Sequence, residues 1–245
     1  MKLVIIAAGH GSRLRSVSHD MNKTLLTIHG KRLIDILLNN AVKCGFQDVV
    51  IITGYRNQVL MQALDNHTHN LKLTFIHNPD WQQPNGISVL AAKPAIPKEE
   101  EYMISMSDHV YSAKLMEKIK NSSLGNNIAN VGLDFRIESV FDLEDGMKVK
   151  TLQTKEGLKV KKMDKKLLNY DAIDCGVFKC RYNFFQSLVI AKDKLKGSLS
   201  DACNVLINDK KMGGVDIGEE FWLDVDTPES VQYLQSINIE CNNND

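Results

Sequence analysis

Along the first half of the chain, short apolar runs alternate with stretches in which apolar residues recur at helical spacing. Lys2 to Ala7 is a nearly continuous branched run that stops at Gly9-His10-Gly11-Ser12, the pattern of a strand buried on both faces. Leu33, Ile34, Ile36, Leu37, Leu38, Ala41 and Val42 repeat at helical spacing, Cys44-Gly45 closes that element, and Val49 to Thr53 gives a second buried strand. The rhythm continues through a predicted helix at 58–64, a strand at 71–77, a helix at 87–92 and a strand at 102–107. Such alternation predicts an α/β fold, with a mainly parallel sheet and helices on both faces.

After about residue 126 the rhythm changes. Ile128 to Phe135, Val140 to Asp142, Met147 to Thr151 and Leu158 to Met163 are shorter segments, and Asp145-Gly146 and Glu156-Gly157 between them are hairpin signals. These read as antiparallel additions to the same sheet. Helices follow near 182–191 and 200–208, then a strand ending in Trp222-Leu223-Asp224-Val225-Asp226. Thr227-Pro228-Glu229 opens a last helix, with threonine as cap and proline in the first turn. No repeat or long linker divides the chain, so residues 1–240 are expected to form one domain and 241–245 a frayed tail.

Composition narrows the function classes. The chain has 245 residues, with 30 basic side chains against 30 acidic ones, which argues against a protein whose main partner is a nucleic-acid backbone. Five cysteines (Cys44, Cys175, Cys180, Cys203 and Cys241) include no C-x-x-C pair, which suggests neither a disulfide framework nor a zinc ribbon and fits a reducing cytoplasm. No apolar run reaches the ~18 residues of a membrane span, so the protein is not expected to be membrane-embedded.

The sharpest chemical feature is Ala7-Ala8-Gly9-His10-Gly11-Ser12-Arg13-Leu14, directly after the first strand. A loop of this kind turns backbone N–H groups toward phosphates. It lacks the third glycine of a dinucleotide fingerprint, where Leu14 stands, and the Gly-Lys-Ser/Thr of a P-loop. Standing alone it would read as a simple glycine turn at a strand exit. It is followed by Met21-Asn22-Lys23-Thr24-Leu25-Leu26 and Gly30-Lys31-Arg32-Leu33-Ile34. Further along come Asn78-Pro79-Asp80-Trp81, Asn85-Gly86-Ile87-Ser88-Val89, Met106-Ser107-Asp108-His109, the segment from Tyr170 to Phe178, Gly197-Ser198-Leu199-Ser200-Asp201-Ala202 and Trp222 to Pro228.

Together and in this order, these motifs resemble the MobA-like and sugar-phosphate nucleotidyltransferase superfamily, most of all its inositol-1-phosphate cytidylyltransferase branch. The resemblance covers nearly the whole chain. It implies a three-layer αβα Rossmann-like fold with a mixed, mainly parallel sheet. It also implies CTP and a phosphate monoester as small-molecule substrates, L-myo-inositol-1-phosphate first, with Mg²⁺ as cofactor and possible homodimer formation. Cytidylyltransferases for phosphocholine or 2-aminoethylphosphonate and nucleotidyltransferases for sugar 1-phosphates share much of the pattern. A nucleotide-binding regulatory module that has lost its catalysis is the alternative of another class.

In this chemistry a phosphate oxygen, already ionised near neutrality, attacks the α-phosphorus of the triphosphate, so no Ser-His-Asp triad is needed. The obstacle is charge repulsion between two polyanions, and positioning with charge neutralisation is the expected remedy. The resemblance assigns catalysis to Arg13 and Lys23. Nucleotide binding falls to Ala7, Ala8, Gly9, Gly11, Ser12, Arg13, Lys23, Asn85, Gly86 and Ser88. Asp108 and Asp224 become the metal pair, with Asp226 in the same shell or capping a helix, and His109, Asp174 and Gly176 lie on the acceptor side. Aspartates following apolar strands suit this assignment, because open α/β sheets bind ligands at carboxyl-terminal strand ends and Mg²⁺ takes hard oxygen ligands. Loss of Lys23 or Arg13 is expected to slow turnover far more than it lowers stability.

Three other features read as structural. His67-Thr68-His69 has metal-ligand spacing but no third partner and reads as a loop. Cys175, without a base nearby in sequence, reads as packing. Lys159 to Lys166 reads as a solvated hairpin edge that lysine keeps from aggregating.

Overall fold

The computed structural model describes residues 1–14, 22–65, 67 and 69–237. The predicted tail with Cys241 falls outside them, as do Met21 and Thr68.

The strands predicted in the first half form as β1 (Lys2–Ala7), β4 (Asp48–Thr53), β5 (Lys72–His77) and β6 (Glu101–Met106), with a small hairpin, β2 (Thr27–Ile28) and β3 (Lys31–Arg32), ahead of helix α1 (Leu33–Lys43). Helices α2 (Asn57–Leu64) and α3 (Asn85–Ala91) fill the crossovers. Strand β7 (His109–Tyr111), helix α4 (Ala113–Asn121) and β8 (Ala129–Asp134) follow. The second half adds β9 (Lys148–Thr154), β10 (Gly157–Asp164), β11 (Ala172–Arg181), α5 (Phe184–Lys194), α6 (Leu199–Asn208), β12 (Met212–Asp216), β13 (Trp222–Asp224) and α7 (Pro228–Ser236).

Nine strands make one sheet in the order β5-β4-β1-β6-β11-β8-β12-β10-β9, with β9 also touching β11. The pairs β1–β4, β1–β6, β4–β5 and β8–β12 are parallel, and β10 and β11 run against their neighbours. Side chains alternate across the sheet, as the two-residue period of a strand requires. Val4, Ile6 and Ile104 meet α3, α5 and α6 on one face, while Leu3, Ile5 and Met103 meet α1, α2 and α4 on the other. A third apolar cluster joins α7 to the β2–β3 hairpin and to a two-stranded ribbon of β7 and β13.

Several sequence expectations are corrected here. Residues 140–142 are not a strand and Asp145-Gly146 is not a hairpin turn: residues 141–145 turn, and Asp142 has a left-handed φ of 53° that no strand accommodates. Phe141 instead stacks on Tyr233 at 4.9 Å and packs against the third cluster. The additions of the second half are not all antiparallel, since β12 lies parallel to β8. Trp222–Asp224 pairs with β7 in the ribbon and is no part of the main sheet. The Glu156-Gly157 turn does form the β9–β10 hairpin, but β9 is not a free edge, because Lys148 and Val149 also pair with β11.

Candidate active site

The parallel register of β1 and β6 brings the glycine-rich loop after β1 and the Asp108 turn after β6 to the same end of the sheet. The β7–β13 ribbon then sets Asp224 opposite His109. A capping box between Thr227 and Ser230 starts α7 immediately after Asp226, so threonine, not Asp226, caps that helix. Asn22 caps the short 3-10 turn that carries Lys23, accepting from the Thr24 N–H.

These elements converge on one charge network. The Lys23 ammonium donates to Asp108 and, at 2.8 Å, to Asp226, although it is only 8% exposed. Burial alone would depress its pKa, but the facing carboxylates Asp108 and Asp226 more than offset that and hold it above the ordinary lysine value. Gly11 lies against Lys23: it has φ of 64°, and a Cβ there would fall 2.9 Å from the Lys23 side chain, so only glycine lets the loop pass so close. Arg13 donates to Asp226 and, at 2.7 Å, to Asp145, which also accepts from Lys165 at 2.6 Å.

His109 is enclosed on several sides. Its Nδ1–H donates to Asp108 at 2.8 Å and lies 3.8 Å from Asp224. Trp222 stacks over the ring at 6.0 Å, and Gly176, with φ of 74°, lies where a Cβ would come within 2.5 Å of it. Burial works against protonation, yet Asp224 and Asp108 raise the imidazole pKa to about 9, so it is cationic at neutral pH. Burial works the other way on carboxylates, pushing Asp224 and Asp174 each up to about 6. In Asp108 the same desolvation is outweighed by Lys23 and His109, and its pKa falls below the ordinary range.

Ligand atoms of Asp108, His109 and Asp224 lie within 4.8 Å of one another, and with His109 protonated the two carboxylates are the groups able to hold a metal ion. Asp224 Oδ1 is buried and has no hydrogen-bond partner among the described residues. The His109 imidazolium 3.8 Å away offsets part of the cost of burying that oxygen, and a metal ion bound there would offset more. Asp226 is not in this grouping, and its carboxylate faces Lys23 and Arg13 instead.

Beside the network lies a cavity of about 180 Å³, lined by Asn85, His109, Asp174, Gly176, Trp222 and Asp224 among others. One oxygen of Asp174 accepts the Gly176 N–H at 2.7 Å. Asn85 opens α3, and its side-chain oxygen accepts the Leu199 N–H at 2.9 Å. Gly86 and Ser88 are buried in helix packing: a Gly86 Cβ would strike the Gly197 carbonyl at 2.4 Å, and Ser88 accepts from Asn78 at 2.9 Å. Ala7 and Ala8 are buried, the Ala8 carbonyl accepting from the Tyr55 N–H, while Gly9 and Ser12 are exposed. Cys175 is buried and its thiol pKa is driven up by burial. His67 and His69 stack at 6.1 Å in a loop.

Sequence reasoning gave no role to Asp134, Arg136, Asp145 or Trp222. Asp134 ends β8 much as Asp108 follows β6, which was the available signal. It is gripped by Arg136 at 2.9 Å and accepts the Trp222 indole N–H at 2.7 Å, fixing the ring that covers His109.

The MobA-like NTP transferase domain model matches residues 3–133, more than half of the chain. The protein belongs to this family. This MobA-like protein is 28% identical over 229 residues to the bifunctional IPC transferase and DIPP synthase of Aquifex aeolicus, covering 94% of this chain and 50% of that one. It thus spans about half the length of the bifunctional relatives it matches. It is 26% identical over 200 residues to the CTP:phosphoglutamine cytidylyltransferase of Campylobacter jejuni, covering 77% of this chain and 76% of that one. In fold it resembles the inositol-1-phosphate CTP transferase from T. maritima, with a TM-score of 0.82 at 21% identity over 96% of this chain and 94% of that one. The expected nucleotidyltransferase fold is therefore the one observed.

Proposed function

We propose that the protein transfers a cytidylyl group from CTP to a phosphate monoester, with L-myo-inositol-1-phosphate as the first acceptor, and releases pyrophosphate. The observation that carries this reading is the single network in which Lys23 bridges Asp108 and Asp226 beside the orphaned Asp224 oxygen, at the rim of a cavity. Relatives named for IPC transfer and CTP-dependent transfer support the choice of chemistry.

In the proposed reaction an oxygen of the acceptor phosphate bonds to the α-phosphorus of CTP. The bond from that phosphorus to the bridging β-oxygen breaks, and pyrophosphate leaves with the electron pair. Both reactants are anions, so the protein's task is to hold them together. Arg13, half-exposed on the glycine-rich loop, exchanges its carboxylate partners for phosphate oxygens. Lys23 stays charged and supplies a fixed cation in a partly dried cleft, where its field acts at low dielectric. Asp108 and Asp224 are the residues fitted to hold Mg²⁺, which when bound supplies positive charge against the triphosphate oxygens. His109 orients Asp108 through its Nδ1–H, and Asp226 anchors Lys23 and Arg13. Asp174 offers a hydrogen-bonding oxygen to the acceptor within the cavity, which Asn85, assigned to the nucleotide, also lines.

The test is pyrophosphate release from each of the four triphosphates with Mg²⁺ and a panel of acceptors: inositol-1-phosphate, glucose-1-phosphate, phosphocholine and 2-aminoethylphosphonate. Fastest release with CTP and inositol-1-phosphate is expected. Another preferred pair would move the assignment within the family, and CTP bound without turnover on any acceptor would leave a binding module.

A further inference from the structure

The protein's formal charge is zero, yet the hairpin is strongly polarised. Between Lys148 and Lys166 the sequence carries eight lysines and two carboxylates. Cross-strand pairs share a face. Lys162 opposite Lys150, Asp164 opposite Lys148 and Lys159 opposite Leu152 therefore lie on one face, while Val149, Val160 and Met163 point into the core on the other. The next loop is drawn onto the lysine face: Lys148 Nζ donates to the Lys165 carbonyl at 3.0 Å and sits 5.8 Å from the centre of the Tyr170 ring, and Lys150 pairs with Asp171 at 3.1 Å. That loop presents Leu168, which is 97% exposed, and Leu152 on the hairpin is 50% exposed. Among the described residues, the exposed ammonium groups of Lys155, Lys161, Lys162 and Lys166 have no carboxylate partner.

We propose that this face docks the protein peripherally on an anionic lipid bilayer, with the lysines at headgroup level and Leu168 in the acyl boundary. Three features favour a lipid surface over nucleic acid. No arginine lies between Arg136 and Arg181, so the face has point charges but none of the planar forks that read phosphates one by one. Its nearby aromatic ring, Tyr170, lies under Lys148 and offers no platform for stacked bases. Its protruding side chains are aliphatic and flanked by lysine, the combination that suits an interface with an apolar interior and a charged rim. Lysines near an anionic leaflet contribute about 1 kcal/mol each, or roughly fivefold in partition.

The experiment is vesicle co-sedimentation of the full chain, comparing pure phosphatidylcholine with a mixture containing one-third phosphatidylglycerol. Wild type is expected to sediment with the anionic vesicles only, and to be released at about 0.5 M salt, where the Debye length is only a few ångströms. Lys155→Ser, Lys161→Ser and Lys162→Ser together should reduce partition about a hundredfold. Leu168→Ser alone should lower it severalfold, even at low salt. Unchanged thermal melts would show that both variants are folded. No sedimentation of wild type with anionic vesicles at low salt, or sedimentation indifferent to all four substitutions, would overturn the proposal. So would binding of a single-stranded oligonucleotide in place of vesicles.

Discussion

Lys23 is shared by two carboxylates, Asp108 and Asp226, in a buried cleft where each has one further cationic partner, His109 and Arg13 respectively. Removing one partner of a buried ion pair leaves the remaining charge stranded, which costs about 3 kcal/mol or more. Where sequence alone predicts loss of turnover with little loss of stability, the structure predicts both for this residue. Lys23→Ala should slow pyrophosphate release by on the order of 10²- to 10³-fold and lower the urea midpoint of chelator-treated protein. Arg13 is half-exposed, so Arg13→Ala should slow release comparably and leave the urea midpoint nearly unchanged. Equal loss of stability in the two variants would contradict the network described. His109 gives a pH signature. Its folded pKa of about 9 lies above the ~6.5 of a free imidazole, so protonation stabilises the fold. In metal-free protein that contribution is complete below about pH 6.5 and is lost as pH rises through 9; His109→Gln should flatten the stability profile across that window. Asp174 lowers stability in the same direction as pH rises, but because its charged form is the one the fold disfavours. Burial lifts it to about 6, so its ionisation weakens the fold as pH rises from about 4 through 6. Asp174→Asn should stabilise the protein by roughly 2 kcal/mol at pH 7.5 and not at pH 4, while raising the acceptor KM.

At the scale of elements, the site depends on what holds His109 and Asp224 in register. The β7–β13 ribbon pairs them directly, Trp222 covers the imidazole from one side, and Gly176 approaches so closely that no side chain fits. Gly176→Ala should therefore displace His109 and lower kcat, beyond any strain from its left-handed backbone. Trp222→Phe retains the ring but loses the indole N–H to Asp134, and should change the acceptor KM more than the CTP KM, because Trp222 lines the cavity. Steady-state kinetics with each substrate varied in turn separates these outcomes. The parallel core strands were legible because β1 and β4 are buried on both faces and read as unbroken apolar runs. The ribbon was not, because Trp222–Asp224 has strand composition and only the closing of the chain decides which strand it joins. The segment after Phe135 was misread for a similar reason: Asp145-Gly146 has hairpin chemistry, but its aspartate is drawn to Arg13 and Lys165 across the cleft. Contacts between residues more than a hundred positions apart leave no local trace in a sequence.

For the molecule as a whole, the charged groups of the proposed chemistry lie at one end of the sheet, where the glycine-rich loop, the Asp108 turn and the start of α7 meet. The motifs pointed to Arg13, Lys23, Asp108 and Asp224, which meet there, but gave no role to Asp145, which pairs with Arg13, or to Trp222, which stacks over His109. What they did not reveal is that Arg13 and Lys23 pair with the site's own carboxylates and that one Asp224 oxygen has no hydrogen-bond partner among the described residues. In the proposed function this oxygen belongs to a magnesium centre serving CTP. Its most direct test is the initial rate of pyrophosphate release from CTP and inositol-1-phosphate as a function of Mg²⁺ concentration, in wild type and in Asp224→Asn. Saturable Mg²⁺ dependence is expected in wild type and, in the variant, a Mg²⁺ requirement raised at least about tenfold together with a lower maximum. A wild-type rate indifferent to chelator, or a variant whose Mg²⁺ curve overlays that of wild type, would contradict it.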